Sequence, residues 1–398
     1  MDTEHYFDWA ATSPEDAEVL RESLEIAIEN YANPSSAHSK GQGARKVLED
    51  ARAESAKHMG VKAEQIFFTS GGTESDHIPL LAVLARPSAQ TENKGRIIVS
   101  AIEHPALREQ CENLKKLGYD VVSVLPDRNG FVTAEAVAEK LTSDTLFVTV
   151  MAVNNETGCI QPISEIAEKI VAFSEGKRKP HFHVDCVQAA GKIPLDLNTS
   201  GIDSAAFSAH KICGPRGIGI LYLANPQKFK GFLTGGGQEK NVRSGTENLF
   251  GAVAFSKVLK KYFLEKSDTD SEKRKSFEKQ SEMTKKFIES IRGIKNCRIV
   301  PECRDGSDES NFSPYVVQAA FLGIPGNVMV RALDAKGFSI STGSACSAKK
   351  QSRPILEAMK ISREQQDSAV RFSFGPLTSE KGMEDLAEAV KEICKDFE

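Results

Sequence analysis

Strand-like apolar runs alternate with amphipathic helical stretches from about residue 35 to residue 225, and this alternation constrains the fold more than any other feature. The runs are Gln65–Ser70, Arg96–Ser100, Val121–Leu125, Leu146–Val153, His181–Asp185, Ser204–Ser208 and Ile218–Leu223. A chain that returns repeatedly from strand to helix folds as an α/β protein with a mostly parallel sheet and helices on both faces. Ligands then bind beyond the carboxyl ends of the strands. Ala37–Met59 and Glu74–Ala85 read as two of the helices.

From about Gly251 the texture changes. A long helical stretch, densely charged from Glu265 to Lys286, leads out of the sheet region and reads as a solvated helix face. Val316–Phe321, a helix at Asn327–Lys336, a strand at Phe338–Ser341 and a closing helix from Thr378 to Phe397 then describe a smaller C-terminal α/β unit. The polar loop Glu302–Pro314 is expected to be mobile. The 398 residues suffice for two domains. The expected division is a large domain at 16–255 and a small domain made of 1–15 and 256–398.

The net charge of −4 provides no long-range field for nucleic acid or anionic lipid, so a small-molecule substrate is expected. The first thirty residues carry acids such as Glu4, Asp8, Glu15, Asp16 and Glu18 and no run of signal length, and no later stretch reaches membrane-spanning length. A soluble, cytoplasmic protein with neither nucleic acid nor membrane as partner is expected. Eight cysteines without CxxC or regular spacing argue against a disulfide framework or a zinc site, so no metal is expected.

Chemistry concentrates around Lys211. It begins the glycine-rich turn Lys211-Ile212-Cys213-Gly214-Pro215-Arg216-Gly217 at a strand end, where an amine can be screened from water and form a Schiff base. The preceding strand, His181-Phe182-His183-Val184-Asp185, ends in an acid and is followed by Gln188. Pyridoxal phosphate chemistry needs this pair, a lysine for the aldehyde and a carboxylate for the pyridinium nitrogen. In Thr69-Ser70-Gly71-Gly72-Thr73 a strand passes into a helix and leaves N–H groups for an anion; taken alone, the same residues read more simply as an N-cap. Glu103-His104-Pro105 could place an imidazole over an aromatic ring, or be a surface turn. Asn154-Asn155 could hold the phenolic oxygen of a cofactor or a substrate carboxylate, or be turn chemistry.

These motifs, in this order, resemble those of the cysteine desulfurases, pyridoxal 5′-phosphate enzymes of the class V aminotransferase fold. The resemblance runs from Tyr6-Phe7-Asp8-Trp9-Ala10-Ala11-Thr12 and Asn33-Pro34-Ser35-Ser36 to Val370-Arg371-Phe372-Ser373-Phe374-Gly375. It implies a large domain of the pyridoxal phosphate aminotransferase type, with Lys211 carrying the cofactor, Asp185 on the ring nitrogen, Gln188 on the phenolic oxygen and His104 stacked on the ring as acid–base helper. Thr73, Ser208, His210 and the backbone of Gly72 would hold the phosphate. Thr246, in Arg243-Ser244-Gly245-Thr246-Glu247-Asn248, would reach the phosphate site of the other subunit of a homodimer. Arg371 and Asn155, with Asn33 nearby, would hold the substrate carboxylate, a task that suits a planar guanidinium.

Ser341-Thr342-Gly343-Ser344-Ala345-Cys346-Ser347 chooses among class V activities. Small residues before a cysteine at a strand-to-loop transition describe a swinging arm, and Lys349 and Lys350 favour its thiolate modestly. By position Cys346 matches the family's nucleophile. The resemblance then implies conversion of L-cysteine to L-alanine, with a persulfide on Cys346 for delivery to a sulfur-acceptor protein in iron–sulfur cluster or other thio-cofactor assembly. That acceptor's identity stays open. Selenocysteine lyase, a class V aminotransferase and an inactive scaffold of the same fold are the alternatives. Cys186 and Cys213 depart from the family pattern and read as packing residues.

Overall fold

The computed structural model describes residues 3–304, 309–343 and 352–397. Among these residues, ten strands build two sheets. In the large unit β1 (Ile66–Thr69), β2 (Arg96–Ser100), β3 (Asp120–Val124), β4 (Thr145–Thr149), β5 (His181–Asp185), β6 (Ser204–Ser208) and β7 (Gly219–Leu223) form one sheet in the order β1-β7-β6-β5-β4-β2-β3. Every neighbouring pair is parallel except those made by β7, which runs against both β1 and β6. The mostly parallel sheet is therefore present. Leu146–Val153 contributes only its first half to β4; Val153 instead pairs with Ile160 across a tight turn.

The helices are α1 (Ala17–Glu29), α2 (Ser39–His58), α3 (Gly72–Leu81), α4 (Pro105–Lys116), α5 (Ala134–Ala138), α6 (Ile163–Phe173) and α7 (Leu249–Tyr262). Strand alternation decides what each sheet face receives. On β5, Phe182 and Val184 enter the core that contains Leu48, Ile166, Ile170 and Phe255 from α2, α6 and α7. His181, His183 and Asp185 consequently face the other side, towards α3. Likewise Ile98 of β2 joins the first core while Ile97 and Val99 pack with Leu107, Cys111 and Leu114 of α4.

The expected single helical stretch after Gly251 is two helices. α7 ends at Tyr262, because Phe263 and Leu264 turn inward to become fully or almost fully buried and Leu195 pairs with Glu265. Ser271 then caps α8 (Glu272–Arg292) by accepting from Arg274 N. α8 packs on an antiparallel sheet of β8 (Cys297–Val300), β9 (Val316–Phe321) and β10 (Ala369–Ser373), joined by α9 (Gly326–Ala335), α10 (Pro354–Ala358), α11 (Arg363–Ser368) and α12 (Glu380–Asp396). Its core sets Phe287 edge-on to Phe372 and Phe374, with centroids 5.2 and 5.5 Å away.

The expected strand Phe338–Ser341 makes two separate bridges instead. Ser339 pairs with Tyr6 and Ser341 with Arg371, so the segment changes partner before a ladder can form. The described part of Glu302–Pro314 is anchored, contrary to the expected mobility. Arg304 is fully buried, pairs with Glu309 at 2.8 Å and donates to the carbonyls of Thr157, Ser313 and Val316. No helix among the described residues is long and apolar enough to cross a membrane.

Candidate active site

At the carboxyl edge of the large sheet, β1 gives way to α3, β2 to His104, β4 to Met151, β5 to Asp185 and β6 to Lys211. Their side chains enclose a cavity of about 230 Å³ together with Ala10, Ala11, Thr73, Asn155, Gln188, Ser208, His210 and Arg371. A larger cavity of about 910 Å³ also holds lysines and arginines and one acid, Asp203, but it lies away from Lys211 and Asp185.

The phosphate-type corner comes from chain geometry. Gly71, at φ +152°, precedes the first turn of α3 without a side-chain cap, so the helix's leading N–H groups face the cavity edge. β7 crosses close by at Gly219, where an added Cβ would lie 2.6 Å from Gly71 C; only glycine lets the two backbones meet. Thr73, Ser208 and His210 surround this corner. His210 shares a hydrogen bond with Thr12 at 3.1 Å, and burial, with Lys211 next, lowers its pKa to about 3.

Lys211 Nζ donates to the carbonyls of Ala10 (2.7 Å) and Ala11 (2.6 Å). Those acceptors arrive on the N-terminal segment, which is pinned by bridges from Tyr6 to Ser339 and from Asp8 to Ser373 and by buried Trp9. Gly375 lies against that indole so closely that a Cβ would sit 2.0 Å from a ring carbon. Asp185 accepts from Val187 N at 2.9 Å, and burial, with Asp76 next, raises its pKa to about 8. A buried acid in that state awaits a cation. His104 accepts from Ala106 N at 3.2 Å as the cap of α4, and burial lowers its pKa to about 4, so its imidazole is neutral. Gln188 is engaged at both ends, donating to Ala10 O and accepting from Lys192 Nζ at 2.6 Å.

Arg371 occupies β10 between Val370 and Phe372, which point into the small core, so its own side chain turns towards the large unit. It donates to Asn155 O (2.9 Å) and Asp8 (2.8 Å), while its buried Nε and the buried Oδ1 of Asn155 have no partner among the described residues. Unpaired buried polar atoms on two neighbouring residues mark a place for a polar ligand.

Ten expected residues thus share one cavity: Gly72, Thr73, His104, Asn155, Asp185, Gln188, Ser208, His210, Lys211 and Arg371. Asn33 is not among them; it is exposed, and its Oδ1 accepts from Ser35 N at 2.8 Å. Thr246 is exposed, also outside the cavity. Cys346 lies outside the described residues. Cys186 and Cys213 are buried. Sequence reasoning missed Asp76, although its spacing from Gly72 and Thr73 puts it on the same helix face. It also missed the carbonyls of Ala10 and Ala11, for which no side chain gives a signal.

The cavity fits pyridoxal 5′-phosphate by its donor set: an amine, a buried acid, an uncapped helix N-terminus and a guanidinium with an unused donor. Among the described residues no group of three or more His, Cys, Asp or Glu could hold a metal ion.

The class V aminotransferase family matches residues 5–386. The chain is 32% identical over 396 residues to the cysteine desulfurase IscS of Dictyoglomus turgidum, covering 99% of this chain and 95% of that protein. It is 36% identical over 392 residues to the putative cysteine desulfurase IscS 1 of Bacillus subtilis, covering 98% of each. A solved NifS-like protein superimposes with a TM-score of 0.87 at 30% identity, over 99% of this chain and all of that one.

Proposed function

Because the chain belongs to the class V aminotransferase family and matches its cysteine desulfurases end to end, we propose that the Lys211 cavity is where L-cysteine gives up its sulfur. The activity is cysteine desulfuration, yielding L-alanine. The observation that carries the assignment to this cavity is the meeting of Lys211, Asp185, the start of α3 and Arg371 in one enclosed space.

Pyridoxal 5′-phosphate, when bound, supplies an electron sink for negative charge at the substrate's α-carbon. Lys211 Nζ would hold the cofactor and, once released, remove the α proton; its perch on two carbonyls keeps the amine at that spot. Asp185, ionised opposite a cation, would keep the ring protonated. The α3 N-terminus with Thr73, Ser208 and His210 would take the phosphate. Neutral His104 can accept a proton and return it. Arg371, steadied by Asp8, would align the substrate carboxylate with Asn155 and thereby the bond to be broken. Cys346 would attack the substrate sulfur as thiolate: an S–S bond forms, the C–S bond breaks, and its electron pair is protonated on the way to alanine.

The chain would act as a homodimer in which exposed Thr246 serves the neighbouring site, with a large domain at 16–255 and a small one from 1–15 and 256–398. A cytoplasmic sulfur acceptor for iron–sulfur or related assembly completes the reading. Borohydride reduction of the cofactor-loaded protein followed by peptide mapping tests it: the label is expected on Lys211, and a label on another lysine overturns the assignment.

A further inference from the structure

A buried hydrogen-bonded chain leaves the active-site cavity from Asp76 and runs along β5. Asp76, on α3 and lining the cavity, meets His183 Nε2 at 3.1 Å. His183 Nδ1 meets Ser204 Oγ at 2.8 Å, and Ser204 Oγ meets His181 Nε2 at 2.7 Å. His181, partly exposed, lines the cavity of about 910 Å³ at the amino edge of the sheet, along with Arg86, Arg178, Lys179, Lys228 and Lys230. The chain thus crosses the sheet from one edge to the other.

The sequence builds this route from a period of two. His181 and His183 share one face of β5, and Ser204 is the register partner of His183 on β6. Both imidazoles stack on Phe147 of β4, with centroids 5.5 and 5.9 Å away, which fixes their planes. Asp76, His183 and Ser204 are almost wholly shielded from solvent. We propose that Asp76, His183, Ser204 and His181 conduct a proton between the active-site cavity and the basic cavity on the opposite edge of the sheet.

Each link is competent in two states. In one, Asp76 is protonated and donates to His183 Nε2, His183 Nδ1–H donates to Ser204, Ser204 donates to His181 Nε2, and His181 Nδ1 carries a proton at the basic cavity. When that last proton passes to water, each of the others moves one place outward. Asp76 is left ionised and accepting from His183 Nε2–H, and every hydrogen bond is remade in the opposite sense. One proton has left and no bond is lost.

The surroundings suit transit. Asp76 is faced from β5 by His183 and Asp185; its charge opposes ionisation of Asp185, of Glu103 in the turn before α4 and of Cys186 just past β5. Two carboxyls in so dry a space resist ionising together, so an ionised Asp185 needs its neighbour's proton managed. At the outer end, burial, His183, Lys179 and Arg86 all disfavour a charged His181, which passes a proton rather than keeping it. The use made of the route rests on the desulfurase reading, in which Asp185 must ionise against the cofactor while substrate fills the mouth.

Nitrogen-15 NMR of the histidines in the cofactor-free protein tests the route independently of that reading. A single Ser204 hydroxyl between two rings requires one of His181 Nε2 and His183 Nδ1 to carry hydrogen and the other to be bare. Finding both protonated or both bare overturns the proposal. In the cofactor-loaded protein with excess L-alanine present, visible absorbance after a rapid pH jump should relax about tenfold or more slowly in Ser204→Ala than in wild type. Relaxation at the wild-type rate in a folded Ser204→Ala protein also overturns it. Failure to load the cofactor at all would count against the desulfurase reading and leave the NMR result standing.

Discussion

Replacing Arg371 by lysine isolates what the guanidinium fork contributes. Of its N–H groups, one donates to Asp8 and one to Asn155 O, while the buried Nε–H has no acceptor among the described residues. In the proposed site a substrate carboxylate would provide that acceptor. Lysine keeps the charge but cannot hold Asp8, Asn155 and the substrate in one plane. Losing one charge-assisted hydrogen bond costs about 1.5–3 kcal/mol, which is about a tenfold to hundredfold fall in kcat/KM. The assay is persulfide formation from cysteine and from cysteamine, which lacks the carboxylate. Wild type should prefer cysteine strongly, and Arg371→Lys should lose that preference by about the factor it loses on cysteine. Because Arg371 also ties the N-terminal segment to β10, thermal unfolding must show a folded variant. An Arg371→Lys protein with wild-type KM for cysteine and an undiminished preference over cysteamine would refute the reasoning.

Asp185 should leave a pH signature on the cofactor-free protein. Its carboxyl, raised to about 8 chiefly by burial, keeps a proton that the unfolded chain releases near pH 4. The folded state therefore binds more protons between those values, and stability should fall as pH rises through that window. Urea unfolding from pH 5 to 8 should show a shallower slope for Asp185→Asn; identical slopes would contradict the assigned burial. Cys346→Ser should bind pyridoxal phosphate and cysteine normally, judged by absorbance, yet form no persulfide, whereas full turnover would move the chain towards the lyase alternative. Arg52→Met should cost about 3–5 kcal/mol in chemical unfolding, because Glu239 is then left buried without its bidentate partner, both contacts being 2.7 Å. A loss under about 1 kcal/mol would show that pair to be solvated.

The parts of the fold legible in the sequence were those with local signals. Strands β2, β5 and β6 stand where their apolar runs begin and end, and α2 follows its periodicity to within two residues. Lys211, Asp185 and the Gly71-Gly72 turn declare themselves because strand ends concentrate chemistry in parallel sheets. What stayed hidden depends on distant partners. β8 is short, and its pairing with β9 decides that it is a strand. Phe338–Ser341 has strand composition, but its neighbours change midway. The break between α7 and α8 is a tertiary event, since Phe263 and Leu264 leave the helix to fill the core. Arg304 sits in a loop whose polar composition conceals a buried cation. The Asp76 route shows most clearly what pattern alone conceals: His181 and His183 read as ordinary strand residues until Ser204 is seen between them.

The central claim is that this cavity removes sulfur from L-cysteine and that Cys346 receives it. The direct measurement is a single-turnover reaction of the cofactor-loaded protein with L-cysteine, counting alanine released against sulfur recovered on each cysteine-containing peptide by mass spectrometry. One alanine for each added sulfur, with that sulfur on the Cys346 peptide, is the predicted result. Alanine without a persulfide on Cys346, a persulfide confined to Cys303, the exposed cysteine among the described residues, or a keto acid in place of alanine would contradict it.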